Sequence, residues 1–181
     1  MTCIVGFVDK KNKNVVIGGD SAGVSGYDIV TRKDPKVFKN GDFLIGCTSS
    51  FRMIQLLRYS FKPPKIGKKE FYHYMCTDFV DAIRACFSSG GWIQKTTDGS
   101  EQGGVFLIGY KDRLFNIQSD FQVGENLNGI DACGCGERYA LGAMFSMLNT
   151  EIEAKRKIEI ALESATYFSA GVCGPYIIET T

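Results

Sequence analysis

The chain of 181 residues contains a single histidine, His73. A zinc site built on two or more histidines is therefore excluded, and no Cys-x-x-Cys pair is present to replace them. A serine or cysteine triad would have to use His73, which lies in the segment Phe71–Met75 of a predicted helix. We interpret His73 as a residue at the edge of the core or at an interface. We predict neither a metal nor a cofactor.

The sequence also lacks a surplus of charge and a long apolar run. Twenty-one Lys and Arg face twenty Asp and Glu, which gives a net charge of +1. Nucleic acid is therefore not expected as a partner, because phosphate binding needs a basic surplus. No stretch approaches the roughly 20 apolar residues of a membrane span, so no membrane association is expected.

The N-terminus and the cysteines indicate a compartment. The segment Met1–Val5 has no basic region followed by an apolar core, so we expect no secretion signal. The seven cysteines are odd in number and scattered, as is typical of reduced thiols. We therefore expect a cytoplasmic protein.

Length and composition predict one domain that spans residues 1–181. A domain has about 150 residues on average, which leaves no room for a second one. Hydrophobic residues make up 44% of the chain and charged residues 23%, as in ordinary globular proteins. A chain of this length buries about 70% of its unfolded surface, so it folds without a disulfide or a metal.

Short apolar runs between turn residues predict the strands. Continuous apolar runs, typical of strands covered on both faces, occur at 3–8, 15–20 and 43–47. Further strands are predicted at 105–108, 114–117, 130–133 and 176–179. The small, Gly-rich segment 21–26 predicts a turn, and the polar segment 90–104 predicts a loop.

Apolar residues at helical spacing predict four helices, at 50–60, 69–88, 137–149 and 152–168. Ser50 is the predicted N-cap of the first helix. The order is strands, two helices, strands, two helices and a strand. This α+β order predicts two packed sheets with a helix layer on each outer side, a four-layer αββα sandwich.

Thr2 is the candidate nucleophile. If Met1 is removed, Thr2 carries its own base, because a free α-amine with a reference pKa of about 8 can take the hydroxyl proton. This arrangement needs no histidine. A hairpin of the first two strands would bring Asp20 back to Thr2. Lys36 beside the amine would help keep it neutral, and Asp20 would orient Lys36.

These residues carry a resemblance to a known family. The segments Thr2–Val5, Val15–Ser21 and Lys36-Val37 resemble the proteasome β-subunit family, in particular HslV, the bacterial proteasome-like peptidase, and HslV-like proteins encoded by phages. Gly134–Gly142 is similar to the family's Gly-Ser-Gly segment, which leads into a helix. Phe168–Gly171 is similar to its Ser-Gly-Gly segment.

The resemblance implies the αββα fold of N-terminal-nucleophile (Ntn) hydrolases and a threonine peptidase that cleaves unfolded polypeptides. In that family the threonine, aspartate and lysine correspond to Thr2, Asp20 and Lys36. The resemblance further implies a closed homo-oligomer, with two stacked rings of about six or seven subunits, and an AAA+ ATPase unfoldase as a possible partner. The location would be the host cytoplasm if a phage encodes the protein.

The sequence departs from the family at three places. Cys135 replaces a serine that helps to polarise the nucleophile, and a thiol is a poorer hydrogen-bond donor. Thr166 replaces an aspartate. The oxyanion glycine falls at Ser49 or Ser50, where a backbone N–H can still serve. Ser169 is the remaining candidate beside the nucleophile.

Two other functions stay open at this point. The first is an amidohydrolase of the same fold that acts on a small amide. The second is a non-catalytic assembly protein that keeps the fold. The helices at 50–60 and 69–88 have wide apolar stripes, which include Phe71, Tyr72, Met75 and Phe79, and part of these stripes is expected to be buried against a neighbouring subunit.

Overall fold

Two antiparallel sheets form the centre of the structure, a computed structural model that describes residues 1–181. The first sheet contains, in spatial order, β12 (Ile130–Gly134), β1 (Cys3–Asp9), β2 (Asn14–Gly19) and β13 (Ile177–Thr180). The second contains β11 (Val123–Gly124), β10 (Arg113–Ile117), β9 (Phe106–Tyr110), β6 (Phe43–Cys47) and β5 (Val37–Asn40).

A helical layer covers the outer face of each sheet. The second sheet is covered by α1 (Phe51–Gln55) with a π-helical turn (Leu56–Ser60), and by α2 (Phe71–Tyr74), a π-helical turn (Met75–Phe79) and α3 (Val80–Ser89). The first sheet is covered by α4 (Glu137–Ser146) and α5 (Ala154–Phe168). The predicted αββα sandwich is confirmed, and the predicted helices differ from these by a few residues at their ends.

The alternation of side chains along β1 and β2 explains why their sequences are continuously apolar. Cys3, Val5 and Val16 pack against α4 and α5, whereas Ile4 and Ile17 pack between the two sheets. Both faces of each strand are therefore covered, and neither strand needs a polar face. No helix in the structure has the length and apolar character required to cross a bilayer.

Two predictions about local structure are wrong. The segment 21–26, predicted to be a turn, contains strand β3 (Ala22–Ser25), which forms a hairpin with β4 (Asp28–Thr31). Every residue of β4 is exposed, so the hairpin lacks the apolar pattern by which strands are recognised. The predicted loop 90–104 also contains the short pair β7 (Gln94–Lys95) and β8 (Glu101–Gln102).

The chain itself covers most of the stripe on the helix at 69–88. Met75 and Phe79 are fully buried in the chain's own core. Phe71 stacks on Tyr110, with ring centroids 4.4 Å apart. Of the four stripe residues only Tyr72 keeps a substantial exposed fraction, 39%. The second sheet therefore covers most of the stripe, and of these four residues it is Tyr72 that remains for the predicted contact with a neighbouring subunit.

Candidate active site

Thr2 lies at the start of β1, between the ends of two neighbouring strands. Cys3 pairs with Gly134 of β12, and Ile4 pairs with Gly19 of β2. Extending each register by one residue places Cys135 opposite Thr2 on one side and Asp20 opposite Cys3 on the other. The side chain of Thr2 is buried. The β1–β2 hairpin thus produces the approach that the sequence predicts.

Lys36 connects the Thr2 hydroxyl to Asp20. Its Nζ lies 3.0 Å from Thr2 Oγ1 and 2.8 Å from Asp20 Oδ1. Lys36 is 2% exposed and Asp20 1%, so the ion pair is closed to solvent. Asp20 Oδ1 also accepts the N–H of Cys3 at 2.9 Å, and Oδ2 accepts that of Ala22 at 2.9 Å. These backbone bonds fix the carboxylate and, through it, the ammonium group.

Met1 occupies the space around the Thr2 nitrogen. In this form the nitrogen is an amide, so it cannot act as a base, and the Thr2 hydroxyl donates a hydrogen bond to the Met1 carbonyl. The Met1 side chain lies against Gly171, where an added Cβ would be 2.2 Å from the Met1 Cβ. Met1 also lines a cavity of about 90 Å³ together with Thr2 and Lys36. Removal of Met1 would open this cavity.

Cys135 contacts both ends of the Thr2 backbone. Thr2 N donates to Cys135 Sγ at 3.2 Å, and Sγ donates to Thr2 O at 3.3 Å. Ser169, at the C-terminal end of α5, donates its hydroxyl to the same sulfur at 3.4 Å. Thr166 lies in another network, in which its hydroxyl is 2.8 Å from that of Tyr176.

The turn at Ser49 and Ser50 forms the opposite wall of the cavity. Ser50 N donates to Thr48 O at 2.7 Å, and Ser50 Oγ caps α1 by accepting the N–H of Arg52. Ser49 has a φ of +60°, and its N–H has no partner in the chain. Of the two predicted oxyanion donors, Ser49 is therefore the one with a free N–H.

Comparisons with known proteins give a fold but no sequence relative. No protein-family model matches the chain, and no curated protein matches its sequence. Among solved structures, Thiobacillus denitrificans BPH superposes with a TM-score of 0.81 at 19% identity, and the match covers 98% of this chain and 97% of that one. The same protein in complex with epoxomicin superposes equally well.

Two further solved structures superpose on nearly the whole chain. HslV from Trypanosoma brucei matches with a TM-score of 0.69 at 17% identity, over 99% of this chain and 98% of that one. The Anbu (Gly-1) mutant from Hyphomicrobium sp. strain MC1 has a TM-score of 0.69 at 16% identity, over 98% of this chain and 80% of that one. The chain has the fold of the proteasome-like Ntn hydrolases. The resemblance carried by the sequence motifs is thus confirmed at the level of the fold.

Within this proteasome-like fold, the buried cysteines do not compete with Thr2 as nucleophiles. Burial, reinforced by nearby Asp20, raises the pKa of Cys3 to about 12. Burial likewise raises the pKa of Cys47 and of Cys133. These thiols stay protonated near neutral pH, and a protonated thiol is a poor nucleophile.

No group of three or more His, Cys, Asp or Glu side chains is close enough to hold a metal ion.

Sequence reasoning missed part of the cavity wall. Val24 and Phe51 both line the cavity beside Thr2. Val24 belongs to β3, which carries no apolar pattern. Phe51 is covered by Arg32, whose guanidinium lies 3.9 Å from the centre of the ring. No pattern in the sequence indicates that an arginine will cover the phenylalanine ring that lines this cavity.

His73 lies on the exposed face of α2, in the opposite helical layer from α4 and α5.

Proposed function

We propose that residues 1–181 form a threonine peptidase that hydrolyses peptide bonds of unfolded polypeptides through Thr2, once Met1 has been removed. The observation that carries this proposal is the position of Lys36 Nζ, 3.0 Å from Thr2 Oγ1 and 2.8 Å from Asp20 Oδ1. The proteasome-like fold supports it. So does the epoxomicin complex of the structurally similar Thiobacillus denitrificans BPH.

The proposed reaction begins with the free amine of Thr2. The amine accepts the hydroxyl proton, directly or through a water, while Oγ1 attacks the carbonyl carbon of the substrate. The positive charge of Lys36 stabilises the oxygen as it loses its proton, and the Ser49 N–H faces the developing oxyanion. The C–N bond then breaks, and the leaving amine takes the proton from the Thr2 ammonium.

The second half of the reaction regenerates the enzyme. The substrate acyl group is now an ester of Thr2 Oγ1, and the Thr2 amine is free again. A water that gives its proton to this amine attacks the ester carbonyl. Collapse of the tetrahedral intermediate returns the proton to Oγ1 and releases the acid. Cys135 positions the amine through its hydrogen bonds to the Thr2 backbone, and Ser169 holds the Cys135 sulfur.

We further propose that the protein assembles into a closed homo-oligomer that encloses Thr2, and that an AAA+ unfoldase supplies its substrates. An exposed aromatic patch on α4 and α5 supports self-association. Tyr167 is 83% exposed and Phe168 62%, and Tyr139 stacks on Phe168 with centroids 5.4 Å apart. Exposed aromatic clusters of this kind mark interaction surfaces. All seven cysteines are free thiols, which supports the cytoplasmic location.

A second candidate function is that of a non-catalytic assembly protein. The observation that favours it is Met1 itself, since a retained Met1 acylates the amine that the reaction requires. Both candidates predict the same fold and the same oligomer. They differ in the state of the N-terminus and in the response to epoxomicin.

The decisive experiment treats the purified protein with epoxomicin and measures its intact mass and its hydrolysis of unfolded casein. A peptidase should gain the mass of one inhibitor per chain and lose casein hydrolysis, while Thr2→Ala should show neither adduct nor hydrolysis. A chain that lacks Met1, takes up no inhibitor and leaves casein intact would contradict the peptidase proposal. Activity on a small amide alone would favour the amidohydrolase.

A further inference from the structure

A second cavity, of about 360 Å³, shares a wall with the candidate active site. Thr48 and Ser49 line both this cavity and the smaller one beside Thr2. Gly134 also lines the second cavity, and a Cβ added there would lie 2.3 Å from Thr2 O and 3.3 Å from Thr48 Oγ1. The second cavity therefore begins directly beside the backbone of the proposed nucleophile.

Glu137 is the only charged residue that lines this cavity. It belongs to the first turn of α4, two residues after Cys135. Its carboxylate takes part in none of the ion pairs of the chain. A carboxylate on the wall of a cavity without a cationic partner is complementary to a positively charged ligand.

The polar wall beside Glu137 contains an amide oxygen as a second acceptor. Gln118 Nε2 donates to Asn116 Oδ1 at 3.0 Å, and Asn116 Nδ2 donates to Asp131 Oδ1 at 3.0 Å. The same Asp131 oxygen accepts the N–H of Ala132 at 2.8 Å. This chain of bonds engages one N–H of each amide and leaves Gln118 Oε1 without a hydrogen-bond partner in the chain. A cation with several N–H groups therefore finds two acceptors among the residues of this cavity, the Glu137 carboxylate and Gln118 Oε1.

We infer that the second cavity binds a lysine or arginine side chain of the polypeptide substrate, within two or three residues of the scissile bond. This inference rests on the proposed function, because it requires a polypeptide bound at Thr2. An extended peptide advances about 3.3 Å per residue, which brings neighbouring side chains over the shared wall. Val105 and Leu141 also line the cavity and would contact the aliphatic stem of the basic residue.

A bound metal ion is a poorer match for the same wall. One carboxylate and one amide oxygen fall short of the six or more oxygen ligands, roughly, that Ca²⁺ requires. The apolar residues around the cavity provide no ligands for such an ion, whereas they can pack against a chain of methylene groups. The arrangement therefore selects for an organic cation with an apolar stem.

The test measures peptide binding to the Thr2→Ala protein by fluorescence anisotropy. Labelled peptides of one sequence carry a single lysine that is moved along the chain, and matched peptides carry uncharged norleucine at each position. We expect one position at which lysine binds about threefold to fivefold tighter than norleucine, as for a solvent-accessible ion pair. High salt should reduce this preference.

Variants of Thr2→Ala identify the residue responsible. Adding Glu137→Gln should abolish the lysine preference, and Glu137→Lys should reverse it in favour of a glutamate peptide. Glu151→Gln, which removes an exposed carboxylate without an ion pair, should leave the preference unchanged. Equal binding of lysine and norleucine at every position overturns the inference. A preference that survives Glu137→Gln also overturns it.

The binding and hydrolysis measurements distinguish a failure of the cavity assignment from a failure of the proposed function. A lysine preference that depends on Glu137 supports the cavity assignment even if the wild type hydrolyses no peptide. The absence of hydrolysis would then contradict only the proposed function. Conversely, hydrolysis of the norleucine and lysine peptides at equal rates, together with equal binding, supports the peptidase and overturns the cavity assignment.

Discussion

The Nζ of Lys36 lies 3.0 Å from Thr2 Oγ1 in a region from which solvent is excluded. A buried ammonium needs a counter-charge, and Asp20 supplies it at 2.8 Å. The hydroxyl is thus held next to a fixed positive charge with few waters to screen it. An alkoxide that forms on Thr2 would be stabilised where it develops, without reorganisation of the surroundings.

The first prediction separates the charge of Lys36 from its structural role. Lys36→Ala should lower the rate of peptide hydrolysis at least about 100-fold, because the charge beside Oγ1 is lost. It should also destabilise the fold by about 3–5 kcal/mol, because Asp20 is left buried without its partner. Hydrolysis of casein and thermal unfolding measure the two effects.

A double variant serves as the control for stability. Lys36→Met with Asp20→Asn removes both charges and keeps the side-chain volumes, so it should recover most of the lost stability but remain inactive. A double variant that hydrolyses casein at the wild-type rate would contradict the role assigned to Lys36.

The sequence was sufficient to predict the parts of this site that depend on strand pairing. Asp20 lies opposite Cys3, one residue from Thr2, because β1 and β2 form a hairpin with a short loop, and apolar runs on both sides of a turn predict such a hairpin. The choice between Ser49 and Ser50 could not be predicted. The choice depends on which of the two N–H groups forms a hydrogen bond within the turn. A glycine often marks a position with positive φ, but here that position is occupied by Ser49.

The surfaces were harder to predict than the core. The β3–β4 hairpin carries polar and apolar residues without alternation, because β4 faces solvent throughout. The exposed aromatic patch on α4 and α5 was not predicted, and of the four named stripe residues on the helix at 69–88 only Tyr72 keeps a substantial exposed fraction. Periodicity shows that a helix has an apolar stripe. It does not show whether a sheet of the same chain covers that stripe, as the second sheet covers Met75 and Phe79.

The second prediction concerns Met1. The protein purified from its native host should lack the mass of one methionine, because the reaction needs a free Thr2 amine and a small second residue permits removal. Edman degradation should give threonine in the first cycle. A fusion that is cleaved to expose Thr2 provides the matched active reference. Full retention of Met1 in the native host would instead favour the non-catalytic assembly protein.

The third prediction concerns Cys135. Alkylation by N-ethylmaleimide should lower activity about 100-fold, because an alkylated sulfur can no longer hold the Thr2 backbone in place. Cys135→Ser should keep at least the wild-type rate and resist the reagent, since a hydroxyl makes the same bonds. Cys76 is also exposed, so Cys76→Ser is the control and should remain sensitive. Inactivation of Cys135→Ser by the reagent would refute this assignment.

The fourth prediction is a pH dependence of stability. Burial raises the pKa of Asp131 above its ordinary value of 3.8, although the bonds from Asn116 and Ala132 oppose the shift. The folded chain then binds more protons than the unfolded chain, so this residue's contribution to stability falls as pH rises from about 4 through the raised pKa.

Asp131→Asn should remove this penalty. Because Asp131 is partly solvent-accessible, we expect the Tm at pH 7 to rise by only about 1–2 °C, and the difference from wild type to vanish near pH 4. Differential scanning calorimetry at both pH values measures the effect. Asp112→Asn, at an exposed position, is the control. A variant that is less stable than wild type at pH 7 would show that the two hydrogen bonds outweigh the burial.

The fifth prediction tests the close approach of β12 to the nucleophile. Gly134 has a φ of +102°, and a Cβ there would lie 2.3 Å from Thr2 O and 2.9 Å from Thr2 C. Both atoms belong to the backbone, so no side-chain rotation can relieve the overlap. Gly134→Ala should therefore move Thr2 away from Lys36 and lower kcat/KM at least about 100-fold.

The same substitution elsewhere separates this effect from the general consequences of losing a glycine. Gly142 lies in α4, and a Cβ there would meet no atom within 4 Å. Gly142→Ala should stabilise the helix by about 0.5–1 kcal/mol and leave kcat/KM unchanged. Gly134→Ala should lower the Tm, because it places a side chain in a strained backbone conformation. If Gly134→Ala instead kept the wild-type kcat/KM, Thr2 would not need its present position, and the geometry on which the proposed mechanism rests would be wrong.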